Sequence, residues 1–582
     1  MSQQLADLLF PDVTESIENI RARYPARPVG QNVVRFAPSP TGFLHIGGVY
    51  TALVSDRFVH QDGQRGVMML RIEDTDQKRQ MEDGIGNIIR GLHYFGIDMD
   101  EGPLGPMGVD GYPASVGAYG PYVQSQRRDL YRAFIKHLVA EGKAYPCWMT
   151  EQQVEDTRTM QQAAKKIPGI YGEYAIWRDV DFVAQQAQVV SGQPYVIRLR
   201  APNVLGDKIT FFDEIKGEST AQANFIDHVL LKASDGLPTY HMAHLVDDHL
   251  MWTTHVIRSD EWFASLPFHL QLFASLDIPA PKYAHIAPFL AIDADTGNKR
   301  KLSKRKDKEA DVRWFGRQGI SANALLTYIM NIVDPSFEEW AAKNPDKTYR
   351  DFSFKLEHMN QSGALFDMQK LFFISKEELA AMDKETFAAR ALAWAKEPGS
   401  MLADSPMGDL QKAAGTTLVE QMEAQPLYTF SALNIERCTE ADPKRYRMFS
   451  DITTQLPAFY DAFYDVMEMP PLPESCTDVP RMQRFVDEYL AAVDLTGGKD
   501  AWFAQLKDIG GLHGFAASNA DFKQFGPWGS ELWEWESPKY VGKIGELAMW
   551  LRMKLLKSST TPDLYESMWV LGKERIERRL RG

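Results

Sequence analysis

A short apolar run, a glycine-containing turn and a helical pattern follow one another near the start of this chain. Residues 32–37 (NVVRFA) predict a buried strand, and the prolines and glycine directly after it must turn the chain. Residues 45–61 have the apolar spacing of a helix, and residues 66–74 (GVMMLRIED) predict a second strand that ends on acidic residues. These elements form a βαβ unit, which predicts a parallel sheet with ligands at the carboxyl ends of its strands.

The sheet is expected to resume much later, in residues 227–236 (DHVLLKASDG) and 254–262 (THVIRSDEW). Between its halves, residues 121–213 are rich in helix formers and include one strand pattern, PYVIRLRAP. This stretch is interpreted as an inserted domain. Beyond about Trp340, amphipathic helical patterns follow one another with little strand signal, which predicts an all-helical C-terminal half.

The predicted fold class is therefore α/β: a Rossmann-type parallel-sheet domain with an inserted α/β domain, followed by an all-helical half. A chain of 582 residues has room for three to four such domains. The expected segments are an N-terminal extension (1–31), the first half of the sheet domain (32–120), the insert (121–213), the second half (214–275), a region with a basic loop (276–345) and the helical region (346–582).

Charge limits the kinds of partner that this chain can bind. A formal charge of -14 argues against a protein that coats nucleic acid nonspecifically, because such binding draws on many Lys and Arg side chains. Any RNA contact must therefore be local. Residues 299–308 hold seven Lys or Arg, and a second basic region closes the chain at residues 573–581. We interpret the second region as solvated surface, with a plausible helical pair between Glu574 and Arg578.

The sequence contains neither an apolar run long enough to span a bilayer nor a signal-peptide pattern at its start. Three scattered cysteines, Cys147, Cys438 and Cys476, are too few for a disulfide framework in so large a chain. We therefore expect a cytoplasmic protein, with no membrane partner and no structural metal.

The first candidate for chemistry is the predicted strand-to-helix turn, residues 38–48 (PSPTGFLHIGG). Free N–H groups and the helix dipole attract phosphate to a helix N-terminus, and His45 adds a donor there. Gly47 and Gly48 would let the anion approach closely. Taken alone, glycines at a helix start more often serve packing.

The second candidate is the basic loop formed by Lys301, Leu302, Ser303, Lys304 and Arg305. Nucleotidyl transfer relies on positioning and on cations that meet the charge developing on phosphate oxygens. A lysine-rich loop suits that task. Taken alone, a basic stretch of five residues is more often solvated surface.

Together, in this order and on either side of an insert, the two motifs resemble the signatures of class I aminoacyl-tRNA synthetases. Six further segments resemble the bacterial glutamyl-tRNA synthetase family, the last two at the position of its final helices: residues 35–42 (RFAPSPTG), 71–76 (RIEDTD), 235–241 (DGLPTYH), 246–249 (VDDH), 562–565 (PDLY) and 571–575 (LGKER). The resemblance implies an acceptor-end-binding insert, a stem-contact region around the basic loop and an anticodon-binding helical half.

The resemblance also implies an amino-acid site. Arg35 and Arg258 would hold the two carboxylates of L-glutamate, and Glu73 would accept from its ammonium group. Planar guanidinium groups match carboxylates bidentately, so these residue types suit the task. The remaining residues implied to shape this pocket are Ala37, Ser39, Tyr240 and, by position, His244.

For ATP, the resemblance implies that His45, Gly47 and Gly48 cradle the phosphates, with His45 and Lys304 as the catalytic residues. Lys304 would stabilise the leaving diphosphate. The nucleoside side would be lined by Glu261, Trp262 and Leu302. Mg2+ should arrive with ATP, because magnesium is commonly shared with substrate phosphates.

Two positions depart from the family pattern, and a third departs only from the wider class I pattern. His244 stands where many members have asparagine, and it would either donate to glutamate or titrate near neutrality behind the pocket. Where some members begin a zinc site with a CxC pair, this chain has Cys147, Trp148 and Met149, so we expect no zinc and no other protein-bound metal. Gly48 replaces a class I histidine, as is usual in this family.

The implied partners are ATP, L-glutamate and tRNA(Glu), and tRNA(Gln) as a second acceptor stays open. Monomers are common in the family, so we expect a monomer. Three alternatives compete: a glutaminyl-tRNA synthetase, an enzyme that glutamylates a modified tRNA base, and a noncatalytic RNA-binding relative. The helical C-terminal half argues against the first alternative, and its length of about 240 residues argues against the second. The intact motif residues argue against the third.

Overall fold

The structure is a computed structural model of the chain. It describes residues 2–63, 65–76, 81–109, 111–303, 305–400, 406–437, 445–525 and 540–582. The chain divides into two compact units. One comprises Met1–Val312 and Leu326–Phe366, and the other comprises Arg313–Leu325 and Asp367–Gly582.

The elements up to residue 301 are α1 (Ser2–Leu9), α2 (Ile17–Ala22), β1 (Val33–Phe36), α3 (Ile46–His60), β2 (Val67–Leu70), α4 (Gly84–Tyr94), α5 (Arg128–Ala140), β3 (Ala144–Cys147), α6 (Glu151–Ala163), α7 (Phe182–Val190), β4 (Val196–Leu199), β5 (Lys208–Asp213), β6 (Gly217–Gln222), β7 (Val229–Leu231), α8 (Tyr240–Leu250), β8 (His255–Ser259), α9 (Leu266–Ser275), β9 (Lys282–Ile286), β10 (Phe289–Ile292) and β11 (Lys299–Lys301).

The later elements are α10 (Arg313–Gln318), α11 (Ala322–Val333), α12 (Phe337–Lys343), β12 (Ala364–Leu365), α13 (Met368–Ala381), α14 (Lys384–Lys396), α15 (Pro406–Ala414), α16 (Leu418–Ala424), α17 (Pro426–Leu433), α18 (Ile452–Gln455), α19 (Asp461–Val466), α20 (Val479–Ala492), α21 (Lys499–Leu512), β13 (Phe515–Ala516), α22 (Asn519–Phe525), β14 (Gly542–Lys543), α23 (Ile544–Leu556) and α24 (Leu564–Arg581).

Parallel strands form the centre of the first unit. β1 pairs with β2, and β9 pairs with β8 and, at one residue pair, with β5, all in parallel. The backbone N–H of Thr254, just before β8, donates to the carbonyl of Val33 in β1 across 2.9 Å, so the two groups of strands are neighbours. The predicted parallel sheet is confirmed, and its carboxyl ends carry Arg35, Arg258 and the acidic residues that follow β2.

A separate three-stranded sheet contains β4 between β3 and β7, and both pairings are antiparallel. Residues 227–236 were expected in the parallel sheet, and that prediction is wrong for β7, which pairs with β4. The physical reason is that three consecutive apolar residues suit either sheet, so their pattern identifies a strand without identifying its partner. The other assigned segment does join the parallel sheet, as β8.

The N-terminal extension is anchored within the first unit. Leu5, Ala6 and Leu9 of α1 share an apolar core with Tyr131 and Phe134 of α5. Farther along, Arg21 donates from Nε to His249 Nε2 at 2.9 Å, and Arg27 pairs with Glu101 at 2.8 Å. The N-terminal extension therefore packs against the rest of the first unit.

The second unit is built almost entirely from helices around an apolar core that includes Phe387, Phe459, Leu506 and Trp550. The predicted helical half is confirmed, except that β13 and β14 form a pair of two-residue parallel strands and that β12, also within residues 346–582, pairs with β10. None of the helices in the described residues is both long enough and apolar enough to cross a membrane.

The solvated surface expected at the basic end of the chain is found only in part: three of the five Lys and Arg side chains in residues 573–581 are exposed. Arg579 is buried, and its Nη1 donates to the carbonyls of Ala458 and Leu555 at 2.7 Å. Arg578 pairs with Asp461 at 2.6 Å instead of with Glu574. The expected partners were all within the helix. The observed acceptors instead come from segments that are distant in the sequence.

Candidate active site

The strand-to-helix turn folds as predicted. His45 is the N-cap of α3, and its Nδ1 accepts a hydrogen bond from the backbone N–H of Gly47 at 2.9 Å. A side chain at position 48 would have its Cβ 3.2 Å from Leu44 Cδ1, so glycine keeps this helix start tightly packed. Nδ1 is therefore occupied by the cap, and the remaining ring nitrogen, Nε2, is the one suited to a phosphate oxygen.

A cavity of about 310 Å3 opens beside the N-terminus of α3. It brings together residues that lie far apart in the sequence: His45, Gly47, Gly48, Tyr50, Thr51, Ser259, Glu261, Ile286, Ala287, Pro288, Phe289, Lys301 and Leu302. Six of them were predicted from the two motifs and the family pattern. The cavity thus joins the helix start, the end of β8 and the beginning of the basic loop.

The basic motif begins in a strand rather than in a loop, because Lys301 is the last residue of β11. Leu302 is buried, and its N–H donates to the carbonyl of Phe289 at 2.9 Å. Across the cavity, Lys301 Nζ lies 2.6 Å from Glu261 Oε2, and both side chains are exposed. Beyond them, the Ser303 N–H donates to Asp307 and Arg305 is exposed, whereas Lys304 lies outside the described residues.

A buried group of charged side chains stands at the carboxyl ends of β1 and β2. Arg71 donates to Asp248 Oδ1 at 2.6 Å and to Glu73 Oε1 at 3.1 Å. Arg35 Nε lies 3.3 Å from the same Asp248 oxygen. Burial raises the pKa of Glu73, while the guanidinium groups of Arg71 and Arg35 act in the opposite direction.

Arg258 is also buried, but its surroundings are different. It donates from Nε to His285 Nε2 at 2.9 Å, and its Nη2 lies 3.1 Å from His269 Nδ1. Weaker contacts at 3.4 Å reach the Tyr240 hydroxyl and the Trp262 carbonyl. These four polar contacts of Arg258 with described residues are all with neutral groups, so its charge is available to an anionic ligand.

Tyr240 and His244 lie on the face of α8 next to these arginines. The Tyr240 ring is stacked over His244 and lies 4.2 Å from the Trp262 ring. His244 Nδ1 lies 2.6 Å from Asp248 Oδ2, and its Nε2 lies 3.2 Å from the Tyr283 hydroxyl. Burial lowers the pKa of His244 to about 3, so the ring is neutral at physiological pH and does not titrate near neutrality.

The remaining predicted pocket residues occupy the turn. Ala37 follows β1 directly and is half-buried, whereas Ser39 is exposed. Trp262 is not among the described residues that line the 310 Å3 cavity, and it stands on the amino-acid side instead. Of the residues predicted for the amino-acid pocket, His244 and Arg258 therefore contact Tyr240, whereas five of those predicted for ATP line the cavity at the start of α3.

Several residues that organise this site were not predicted from the sequence, namely Arg71, Asp213, Asp248, His269 and His285. A signal for some of them was present. Arg71 interrupts the apolar run of a predicted buried strand, and Asp247 with Asp248 interrupts a helical one, and buried charges need partners. The sequence gives no such sign for His269 and His285, because histidine is found both in the interior and on the surface of proteins.

The chain resembles known proteins along its whole length. The family of class I tRNA synthetases (E and Q), catalytic domain, matches residues 31–372. A glutamate–tRNA ligase from Clostridium perfringens (strain 13 / Type A) is 38% identical over 585 residues, which cover 99% of this chain and 100% of that protein. Another, from Sorangium cellulosum (strain So ce56), is 37% identical, with coverage of 98% and 99%.

One solved structure shows the same fold. It is that of a glutamate tRNA ligase from Elizabethkingia meningosepticum CCUG26117 in complex with its amino acid, with a TM-score of 0.67 and 24% identity over 95% of this chain and 98% of that one. The family match spans more than half of the chain and includes all the candidate residues described above. The chain therefore belongs to the family of class I tRNA synthetases for E and Q.

Proposed function

We propose that the chain is a glutamate–tRNA ligase. It would use ATP to activate L-glutamate as glutamyl-adenylate, and would then transfer the glutamyl group to the 3'-terminal adenosine of tRNA(Glu). The observation that carries this proposal is the position of two buried arginines, Arg35 and Arg258, on neighbouring strands beside the cavity at the start of α3. The full-length relatives that bear this name support it.

The charges around the two arginines favour glutamate as the substrate. Arg35 already faces Asp248, whereas Arg258 is held by two neutral imidazoles among the described residues. A substrate with a second carboxylate would supply the missing negative charge and would accept a bidentate pair. A neutral side-chain amide cannot repay the desolvation of that guanidinium group, so glutamine should be rejected.

Glu73 would receive the ammonium group of the substrate. Its carboxylate is buried beside two guanidinium groups, and burial raises its pKa. A cation placed next to it would favour the ionised form. This arrangement would fix the orientation of glutamate, with its α-carboxylate towards the nucleotide cavity.

The nucleotide would bind with its phosphates at the N-terminus of α3, next to His45 and the two glycines that follow it. The opposite walls, Glu261 and Leu302, would border the nucleoside. Mg2+ would be held chiefly by ATP phosphates, because no group of three or more His, Cys, Asp or Glu side chains suited to a metal occurs in the described parts of the chain. The absence of zinc stays a prediction from the sequence.

The reaction needs no covalent enzyme intermediate. A glutamate α-carboxylate oxygen attacks the α-phosphorus of ATP in line, the bond to the bridging oxygen breaks, and diphosphate leaves. A hydroxyl of the terminal adenosine then attacks the activated carbonyl carbon and loses its proton, and AMP departs. Lys304 would meet the charge that develops on the leaving diphosphate.

The partners follow from this reaction: ATP with Mg2+, L-glutamate and tRNA(Glu), with tRNA(Gln) as a possible second acceptor. We place the reaction in the cytoplasm and expect a monomeric enzyme. Discrimination between the two tRNAs would lie in the helical second unit, where unstacked anticodon bases would meet aromatic and arginine side chains.

The proposal is tested by offering labelled glutamate, glutamine and aspartate separately to the purified protein, with ATP, Mg2+ and a tRNA(Glu) transcript. We expect stable charging with glutamate alone. Charging with glutamine instead would contradict the proposal. A second transcript, tRNA(Gln), then decides the acceptor range: charging of only the first means a discriminating enzyme, and charging of both means one that needs an amidating partner.

A further inference from the structure

Two imidazoles hold the guanidinium group of Arg258 from different directions. On one side, Nε donates to His285 Nε2 at 2.9 Å, and on the other side Nη2 lies 3.1 Å from His269 Nδ1. Because a guanidinium group has no acceptor, both of these ring nitrogens must carry a lone pair. Burial lowers the pKa of His285 and of His269, in agreement with two neutral rings.

These contacts fix which nitrogen of each ring carries the proton. His285 must be protonated at Nδ1, which lies 2.6 Å from Asp213 Oδ2. His269 must be protonated at Nε2, which lies 2.7 Å from His241 Nδ1. One chain of hydrogen bonds therefore runs from Asp213 through His285, Arg258 and His269 to His241.

Asp213 ends β5, and its two oxygens have separate tasks. Oδ1 accepts from the backbone N–H groups of Ile215 and Lys216 at 3.0 Å and of His285 at 3.4 Å. Oδ2 accepts from the His285 ring. An asparagine at this position would keep its oxygen on the three backbone donors and would turn its amide nitrogen towards His285 Nδ1.

We propose that Asp213 is a positioning residue for glutamate: by fixing the tautomer of His285 it keeps Nε2 as the acceptor that orients Arg258. This inference rests on the proposed function, because it takes Arg258 as the group that binds the substrate carboxylate. An ionised aspartate accepts only, so the neutral ring beside it must donate from Nδ1. With asparagine, the proton would move to Nε2 and would oppose the Arg258 Nε–H.

The test is the nearly isosteric Asp213→Asn variant in tRNA(Glu) charging. We expect its KM for glutamate to rise by at least about tenfold, as for a lost hydrogen bond to a buried charge. The KM for ATP, and kcat at saturating glutamate, should stay within about threefold. Asp277→Asn is the matched control, since Asp277 is exposed and its positive φ of 54° suits asparagine.

His285→Gln separates tautomer control from general disruption. Glutamine can place its carbonyl oxygen near the Nε2 position, and it has no tautomers. In that background Asp213→Asn should change the glutamate KM less than threefold. An equal rise in both backgrounds, or no rise in the single variant, would overturn the inference. A wild-type protein that fails to charge glutamate would instead overturn the proposed function.

Discussion

Arg71 Nη1 donates to Asp248 Oδ1 across 2.6 Å, and both side chains are fully buried. The same arginine donates to Glu73, and the same aspartate lies 3.3 Å from Arg35. One buried ion pair therefore links the end of β2, the end of β1 and helix α8. Two proposed substrate ligands depend on it for their orientation, although it was given no role from the sequence.

We predict that Arg71→Met destabilises the protein strongly, because Asp248 and Glu73 would remain buried without this partner. Removal of one member of a buried pair costs about 3–5 kcal/mol. Differential scanning calorimetry would show the loss in the transition of the first unit. Arg90→Met is the control: Arg90 is exposed and pairs with Asp83 on the surface, so its loss should cost less than about 1 kcal/mol. Equal losses for the two variants would contradict the prediction.

His60 should make stability fall in alkaline solution. Its ring lies 3.1 Å from Asp100 and 2.9 Å from Asp56, and these contacts raise its pKa to about 9 from the usual 6.5. The stabilisation is fully present below pH 6.5 and is lost as the pH rises through about 9. Partial exposure limits it to about 1 kcal/mol.

This dependence is measured by comparing the Tm of the wild type and of His60→Gln at pH 6 and at pH 9.5. The gap between the two proteins should be larger at pH 6, because glutamine keeps a hydrogen-bonding group without the charge. A gap that stays constant, or that widens at pH 9.5, would show that the charged imidazole is not the source.

Lys304→Ala should slow glutamyl-adenylate formation by about 100- to 1000-fold, as expected for loss of one group that stabilises developing charge. The affinity for ATP should change far less, because this lysine is proposed to act mainly on the leaving diphosphate. Single-turnover charging of tRNA(Glu) separates the two quantities. Lys299→Ala, an exposed lysine at the start of β11, is the control and should remain near wild type.

Arg35→Ala should have the opposite signature, with a raised KM for glutamate and a nearly unchanged KM for ATP. The reason is that Arg35 lies among the residues proposed to bind glutamate. It is not one of the described residues that line the cavity proposed for the nucleotide. Wild-type kinetics for both Lys304→Ala and Arg35→Ala would show that the site has been assigned wrongly.

His244→Asn should be well tolerated. Asparagine restores the common family residue, and its amide can still donate to Asp248, while the contact with Tyr283 and the ring stacking with Tyr240 are lost. We expect a glutamate KM within about threefold of wild type, with the same pH profile between pH 6 and 8. A profile that loses an inflection near pH 7 in the variant would mean that His244 does titrate in that range.

Much of the first unit follows from local pattern. The cap at His45, the beginning of α3 and the strands on either side are all specified by residues close in sequence. Pairing between distant strands is not. β7 has the apolar pattern of a central strand, yet it pairs with β4, because its partner depends on the path of the intervening chain.

The substrate pocket shows the same division. Arg35 and Arg258 could be assigned because the family pattern marks them, but their different environments could not. The pairing of Arg35 with Asp248, and the holding of Arg258 by His285, depend on side chains separated by long stretches of sequence. Arg579 is a parallel case, since the acceptors that bury it come from distant segments.

The proposed function is tested most directly by determining where on the tRNA the protein attaches glutamate, and by what bond. The purified protein is incubated with ATP, Mg2+ and labelled glutamate, using a native tRNA(Glu) and the same tRNA after periodate oxidation of its terminal ribose. We expect an alkali-labile glutamyl ester on the intact tRNA, AMP release in equal amount, and no label on the oxidised tRNA. Label on the oxidised tRNA would place glutamate on a base, and no label on either would contradict the proposed function.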